Sequence, residues 1–283
     1  MAQFCVLLSE KTTDCITSSD IFLSYKTFFT WFLSSPTALT GLLAALIGTI
    51  TASVAFYNIR LTRQSNMLHR ALDFESTYQN TKEISEATTA SVILLIKAKR
   101  KGTDSYFDEL TELASYVPLN LETTKSRQLR NLLKYLNEWE RCANGIYYGS
   151  YNANFLYSVY ASTVINTFRL SLPFILARQG AFGPGWESRK KNQRAFIRFV
   201  RLATEWTIRK HTESFEDVPE DLRNALKLIK QHNRIVYEKK LLPFIFLDKK
   251  FPDELLIEAQ GYLTSYMAKI HNIDNEYIQC SLR

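Results

Sequence analysis

The pattern of hydrophobic and polar positions divides the chain into two parts. No charged residue lies between Lys26 and Arg60. Within that stretch the segment from Ala38 to Ile59 is apolar and long enough to span a bilayer, which requires about 20 residues. After Arg60 the chain is polar, and its apolar residues recur at the three- and four-residue spacing of helices that bury one face. The pattern therefore predicts a membrane helix followed by a helical domain.

Two other interpretations of the apolar segment compete with a membrane anchor. A cleaved signal peptide has basic residues at the extreme N-terminus and a shorter apolar run, whereas the first basic residue here is Lys11. A buried helix of a soluble domain is the second alternative, which polar residues such as Thr49 and Ser53 leave open. We favour the anchor because aromatic residues stand at both ends of the segment, as in the interfacial belts of membrane helices.

The basic residues next to the segment predict its orientation. Arg60, Arg63 and Arg70 follow it, and the tail before it is slightly acidic. Lys and Arg favour the cytoplasmic side of a membrane. We therefore expect a short extracytoplasmic tail (residues 1–35), a transmembrane anchor (36–59) and a helical cytosolic domain (60–283).

The cytosolic part has the composition of an all-α bundle. The whole chain of 283 residues contains 9 Gly and 7 Pro, and 46% of its residues are hydrophobic. The spacing predicts five to seven helices after the anchor. Asn152 is predicted to cap a helix from Ala153 to about Gln179, which we expect Pro173 to kink or split. A further single helix is predicted over residues 186–211.

Small residues recur every four positions along the anchor, at Ala44, Gly48 and Ala52. Such a stripe lets the backbones of two membrane helices approach each other closely. The stripe predicts that the chain is a homo-oligomer packed through these residues.

A polar set, Asn137, Glu140 and Asn144, lies on one face of the helix that precedes Gly145 and Gly149. These side chains are candidates for a polar pocket that receives a partner, with Glu140 as an acid, a base or a cation ligand. The alternative, which we favour, is structural: buried Asn and Glu side chains satisfy backbone groups that are freed where the helix ends.

A basic set lies on the helix predicted over residues 186–211. Its members, Lys190, Arg194, Arg198 and Arg201, are spaced four, four and three residues apart and form one cationic helical face. Such a face binds phosphates of nucleic acid or anionic lipid headgroups. The alternative is a solvated surface that nearby acids partly neutralise. The net charge of the chain, +7, is compatible with either interpretation.

The common catalytic and cofactor signatures do not occur in the sequence, including the phosphate-binding, dinucleotide-binding, zinc-protease and nucleophile-elbow motifs. We therefore assign no catalytic residue, no metal and no cofactor. The four cysteines form no metal-binding spacing. Cys5 and Cys15 are close enough in sequence to pair if the tail faces an oxidising compartment.

Three stretches together resemble a known family. They are RALDFESTY (70–78), LLKYLNEWERCANGIYYGSYN (132–152) and the later helix rich in Arg and Trp, and they are similar to the bacterial domain-of-unknown-function family numbered 4760. The resemblance covers about residues 38–210 and is sharpest at Leu136, Asn137, Glu140, Gly145 and Ile146. The family has no established activity, so it implies no catalytic residue. It implies a single-pass protein of the bacterial inner membrane.

These observations predict a membrane-anchored, non-enzymatic effector or interaction protein. Membrane lipid contacts residues 38–59, and the cytosolic domain binds a protein or nucleic-acid partner, in phage exclusion or abortive infection. Two alternatives stay open. One is a carboxylate-dependent metal hydrolase or nuclease, and the other is a housekeeping membrane scaffold or sensor.

Overall fold

A computed structural model of the chain describes residues 3–9, 12–17, 26–27, 30, 36–117, 123–181, 194–241 and 253–273. These residues form a two-stranded hairpin and eight helices. The strands are β1 (Gln3–Ser9) and β2 (Thr12–Thr17). The helices are α1 (Pro36–Asn80), α2 (Lys82–Arg100), α3 (Thr103–Ser115), α4 (Thr124–Tyr147), α5 (Ala153–Gln179), α6 (Ile197–Glu213), α7 (Glu220–Leu241) and α8 (Asp253–His271). The predicted class is confirmed, with seven helices after the long first one.

The chain divides into two compact units, Met1–Gln64 and Ser65–Arg283. In the first unit β1 and β2 pair antiparallel, and the register places the Cα atom of Cys5 opposite that of Cys15. The hairpin was not predicted from the sequence, although both stretches contain β-branched residues that favour strands. Helix α1 begins at Pro36, and proline is well tolerated in the first turn of a helix.

Two helices are long and apolar enough to cross a membrane, and they differ in burial. In α1 the apolar stretch of the span Thr40–Asn80 is 0% buried, and in α5 (Ala153–Gln179) it is 67% buried. The exposed side chains of α1 include Ile47, Ile50 and Phe56, which is 70% accessible. Helix α5 is therefore the central helix of the second unit, whereas the apolar side chains of α1 are exposed among the described residues.

The core of the second unit forms around α4 and α5. Helix α2 packs on α4, α3 packs on α5, α6 contacts both α4 and α5, and α7 packs chiefly against α8. Trp139 of α4 is fully buried in a group of aromatic rings, with centroid distances of 5.1 Å to Tyr78, 5.5 Å to Tyr160, 6.4 Å to Phe74 and 6.5 Å to Tyr135. Large aromatic side chains of this kind contribute much of the burial energy of a core.

Helix α5 begins and ends as predicted, and it continues through Pro173. It is not split there. A proline leaves the carbonyl four residues earlier, here that of Arg169, without its helical hydrogen bond. The Nε2 atom of His271 lies 2.9 Å from that oxygen. Because a carbonyl only accepts, His271 is the donor, and α8 satisfies the group that the proline frees in α5.

The helix predicted over residues 186–211 begins later than expected. Arg194, Ala195 and Phe196 form a turn, and α6 starts at Ile197. Phe196, at the N-cap position, has φ 55° and ψ 24°, in the left-handed region that non-glycine residues rarely occupy. Residues 182–193, where the first part of that helix was predicted, lie outside the described residues.

Candidate functional site

The first turn of α6 receives its hydrogen-bond acceptors from another helix. The first N–H groups of any helix have no partner within it, and the side chain of Phe196 at the N-cap cannot accept. Glu140 of α4 takes this role: its Oε2 accepts from the N–H of Phe199 at 2.7 Å, and its Oε1 accepts from the N–H of Arg198 at 3.3 Å. These are the second and third helical positions, the ones that an N-cap side chain normally serves.

The protonation of Glu140 reflects two opposing influences. Burial raises the pKa of its carboxyl group, while the N–H groups of Phe199 and Arg198 and the charge of Arg198 act to lower it. The positive end of the α6 dipole also favours a carboxylate at this place. The net effect is a raised pKa, so burial outweighs the groups that favour the charged form. Both oxygens of the Glu140 side chain are engaged by backbone N–H groups at the start of α6.

A second contact holds the turn before α6. The buried side chain of Gln179, at the end of α5, donates from Nε2 to the carbonyl of Ala195 at 2.7 Å. Together Gln179 and Glu140 hold the chain on both sides of Phe196. The unusual backbone of Phe196 is therefore held in place from α4 and from α5.

The predicted cationic face is only partly a surface feature. The guanidinium of Arg198 lies 3.8 Å from the centroid of the Tyr147 ring, and that of Arg201 lies 4.9 Å from it. Arg201 also donates to Glu205 at 3.2 Å. Both arginines are half-buried. Cation–π contacts of this kind contribute on the order of 0.5–2 kcal/mol. The charges of both arginines therefore interact with the Tyr147 ring within the protein.

Arg194, a third member of the basic set, does not extend this face along α6. Arg194 is exposed in the turn before α6, so the four-residue helical spacing that joined it to Arg198 does not apply. That part of the prediction is wrong because the helix starts three residues after Arg194. Lys190 lies outside the described residues.

The remaining predicted site residues are placed as follows. Asn137 is exposed on α4, and Asn144 is half-buried near its end, where its backbone carbonyl accepts from the N–H of Tyr148 at 3.0 Å. Ala44, Gly48 and Ala52 are all exposed on α1. A Cβ built on Gly48 would meet nothing within 4 Å.

A groove that sequence analysis did not predict runs between α2 and α5. It has a volume of about 440 Å³. Its walls include Val92, Leu95 and Ile96 from α2 and Thr163 and Leu170 from α5. At its base the hydroxyl of Tyr135, from α4, is hydrogen-bonded to Thr167 at 2.6 Å. The groove is thus largely apolar and has a few polar groups along one side.

Basic groups gather at one end of this groove. Lys99 and Arg169 line it, and both charges help to lower the pKa of His271, although burial is the larger cause. The Nε atom of Arg169 is buried and has no hydrogen-bond partner among the described residues. Neither Lys99 nor Arg169 forms an ion pair with a carboxylate in the described part of the chain. Among the described residues, therefore, the positive charge at this end of the groove has no carboxylate partner.

Part of the groove is visible in the sequence. Val92, Leu95, Ile96 and Lys99 have the spacing of one helical face. What the sequence does not show is that α2 lies beside α5 and that Arg169 comes to the same end as Lys99. Within the described residues, no group of three or more His, Cys, Asp or Glu side chains is arranged to hold a metal ion.

The family model of a domain of unknown function, DUF4760, matches residues 45–206, which is more than half of the chain. The chain belongs to the DUF4760 family. Among curated proteins and solved structures, no significant match to it was found.

The DUF4760 region extends from inside α1 to inside α6. It contains Glu140 together with the start of α6 that this side chain caps, and it contains Lys99 and Arg169. Helices α7 and α8, including His271, follow the DUF4760 region.

Proposed function

We propose that this DUF4760 protein is a membrane-anchored, non-enzymatic interaction protein, in which the apolar part of α1 inserts in the bilayer and the helical domain binds a partner. One observation carries the proposal. Of the two described helices that are long and apolar enough to span a bilayer, α1 has its apolar side chains exposed, whereas α5 is the packed centre of the domain. Apolar surface of this extent marks a membrane or partner contact.

Membrane fractionation of the full chain tests the anchor. We expect the protein to stay with the membrane after extraction with alkaline carbonate. The double variant Ile47→Arg/Ile50→Arg should be released, because each arginine at the centre of a membrane helix costs about 2.5–3.5 kcal/mol. The matched control is Phe215→Arg/Ile257→Arg, which replaces exposed apolar residues, 99% and 52% accessible, outside α1. Release of the wild-type chain, or equal behaviour of both variants, overturns the anchor.

We also propose a single-pass topology in the bacterial inner membrane, with the C-terminal domain in the cytoplasm. The support is the cluster of Arg60, Arg63 and Arg70 after the apolar segment. Fusion of a fluorescent protein and, separately, of a phosphatase active only outside the cytoplasm to the C-terminus tests it. Fluorescence without phosphatase activity is the expected result. The reverse result places the domain outside.

The non-enzymatic part of the proposal rests on Glu140. A carboxylate-dependent hydrolase would need this group free for a substrate or a metal, and its oxygens accept from Arg198 and Phe199 instead.

Contact between copies of the chain through Ala44, Gly48 and Ala52 belongs to the same proposal, and crosslinking of the full chain in membranes tests it. Replacing Gly48 by Leu should then abolish the crosslinked dimer.

The role in phage exclusion or abortive infection is the part of the proposal that rests on the family resemblance. Plating efficiency of a broad phage panel tests it, on cells that express the full chain or the Ile47→Arg/Ile50→Arg variant. We expect some phages to be blocked by the full chain and not by the variant. If no phage is affected while the protein stays in the membrane, the scaffold or sensor alternative takes its place.

A further inference from the structure

The groove between α2 and α5 has the shape of a small-molecule site. Its volume of about 440 Å³ lies within the range of roughly 300–1,000 Å³ that is typical of ligand pockets. The part of α2 that lines it, from Val92 to Lys99, spans about 10 Å at 1.5 Å per residue. A ligand that fills it is therefore an elongated molecule about 10 Å long.

The length of the groove and one of its ends differ in chemistry. Along its length lie the apolar side chains of Val92, Ile96 and Leu170, and Ile96 is 39% accessible although it is aliphatic. At the end stand Lys99 and Arg169, which have no carboxylate partner in the described part of the chain. A buried guanidinium nitrogen without an acceptor destabilises the protein, because the donor loses its hydrogen bonds to water and no protein acceptor replaces them.

We infer that this groove binds a small amphiphilic anion, an organic molecule with a carboxylate or phosphate at one end of an apolar body. The anionic group accepts from Arg169 and Lys99, and the apolar body covers Val92, Ile96 and Leu170. The arrangement satisfies the buried Nε of Arg169 and removes exposed aliphatic surface from water at the same time.

The backbone around Arg169 is held firmly, which prepares the site for a ligand. The Arg169 carbonyl is bound by His271, and the hydroxyl of Tyr106 donates to the carbonyl of Leu170. Tyr106 is also buried against the His271 ring, with centroids 5.0 Å apart. A guanidinium on a fixed segment of helix loses less conformational entropy when it binds an anion.

This inference does not depend on the membrane anchor, since every residue of the groove lies in the second unit. The two proposals therefore fail separately. If the full chain proves soluble, the anchor is lost and the same binding experiment is carried out in buffer. If it is membrane-bound, the chain is reconstituted in nanodiscs of zwitterionic lipid.

The test is equilibrium dialysis of the full chain against radiolabelled decanoate, with empty nanodiscs subtracted so that partition into lipid cancels. Decyl phosphate and the neutral decanol are compared by the same method. We expect saturable retention of both anions, and retention of decanol no greater than that of empty nanodiscs. Absence of saturable retention at millimolar concentration overturns the inference, as does equal retention of decanol.

Variants locate the binding. Lys99→Gln/Arg169→Gln should weaken decanoate binding at least about tenfold, the usual effect of losing a charge-assisted contact. Lys97→Gln/Arg130→Gln removes the same charge from exposed positions on α2 and α4 outside the groove and should bind as the wild type does.

A second variant keeps the test decisive if the first does not fold, as judged by circular dichroism. Thr163→Trp leaves both basic side chains in place and fills the groove from its exposed rim. It should abolish retention of decanoate. Wild-type affinity in Thr163→Trp, or in a folded Lys99→Gln/Arg169→Gln variant, overturns the inference.

Discussion

Glu140 offers the sharpest test of how the domain is held together. Its carboxylate caps α6 from a different helix, so removing it leaves the N–H groups of Arg198 and Phe199 without acceptors. Two variants separate the contributions. Glu140→Ala removes both hydrogen bonds, and Glu140→Gln keeps one carbonyl oxygen for Phe199 while removing the charge that faces the helix dipole.

The two hydrogen-bond distances of Glu140 set the expected loss in the free energy of unfolding. An unpaired buried N–H costs about 1–3 kcal/mol. The Phe199 contact, at 2.7 Å, is a strong hydrogen bond, and the Arg198 contact, at 3.3 Å, is a weak one. We therefore expect Glu140→Ala to lower the free energy of unfolding by about 2–4 kcal/mol, and Glu140→Gln by about 1–2 kcal/mol.

Thermal unfolding of the full chain, followed by circular dichroism at fixed lipid composition, measures the effect. For a domain of 150–250 residues each kcal/mol shifts Tm by about 2–4 °C, so Glu140→Ala should lower Tm by about 4–16 °C. The matched control is Asn137→Ala, which changes an exposed polar residue on the same helix. A loss of Tm in Glu140→Ala no larger than in this control would refute the capping role.

Three further outcomes are expected. Gly145→Ala should destabilise the domain, because the added Cβ would lie 2.2 Å from the ring of Tyr151; an unchanged Tm contradicts this. The pKa of His271 is lowered from its ordinary 6.5, so the unfolded chain binds the proton more readily and stability falls as pH drops below about 6.5. His271→Gln retains a donor and does not titrate, so between pH 7.5 and pH 5 it should lose less stability than the wild type. Burial raises the pKa of Cys142 to about 12, so a thiol reagent should modify it only in denaturant, as mapped by mass spectrometry.

Local sequence signals predicted most of the helices. Asn152 was predicted to cap a helix from Ala153 to about Gln179, and in the structure its Oδ1 accepts from the N–H of Phe155 at 3.0 Å at the start of that helix. The cap and the helix lie within a few residues of each other. Propensity and capping chemistry are therefore sufficient to find them.

The contacts that form the candidate sites join residues that lie far apart in the sequence. Glu140 and Phe199 are 59 residues apart, and the sequence around either residue does not predict a contact with the other. The sequence predicts an earlier start for α6 than the structure shows, because the residues before Ile197 are compatible with a helix. In the structure Gln179 and Glu140 hold the chain on either side of the left-handed turn at Phe196, and α6 begins directly after it. Tertiary contacts override local propensity at that point.

The bond between His271 and the Arg169 carbonyl bears on how relatives of this chain can vary. The carbonyl needs an outside donor only because Pro173 removes the helical one, and that donor comes from α8, after the residues 45–206 that match the family model. In a relative that ends before α8, a proline at this position would leave the carbonyl four residues earlier without a hydrogen-bond donor. We therefore expect the proline and the histidine to be inherited together, and a relative without the C-terminal helices to have an ordinary N–H residue in place of Pro173.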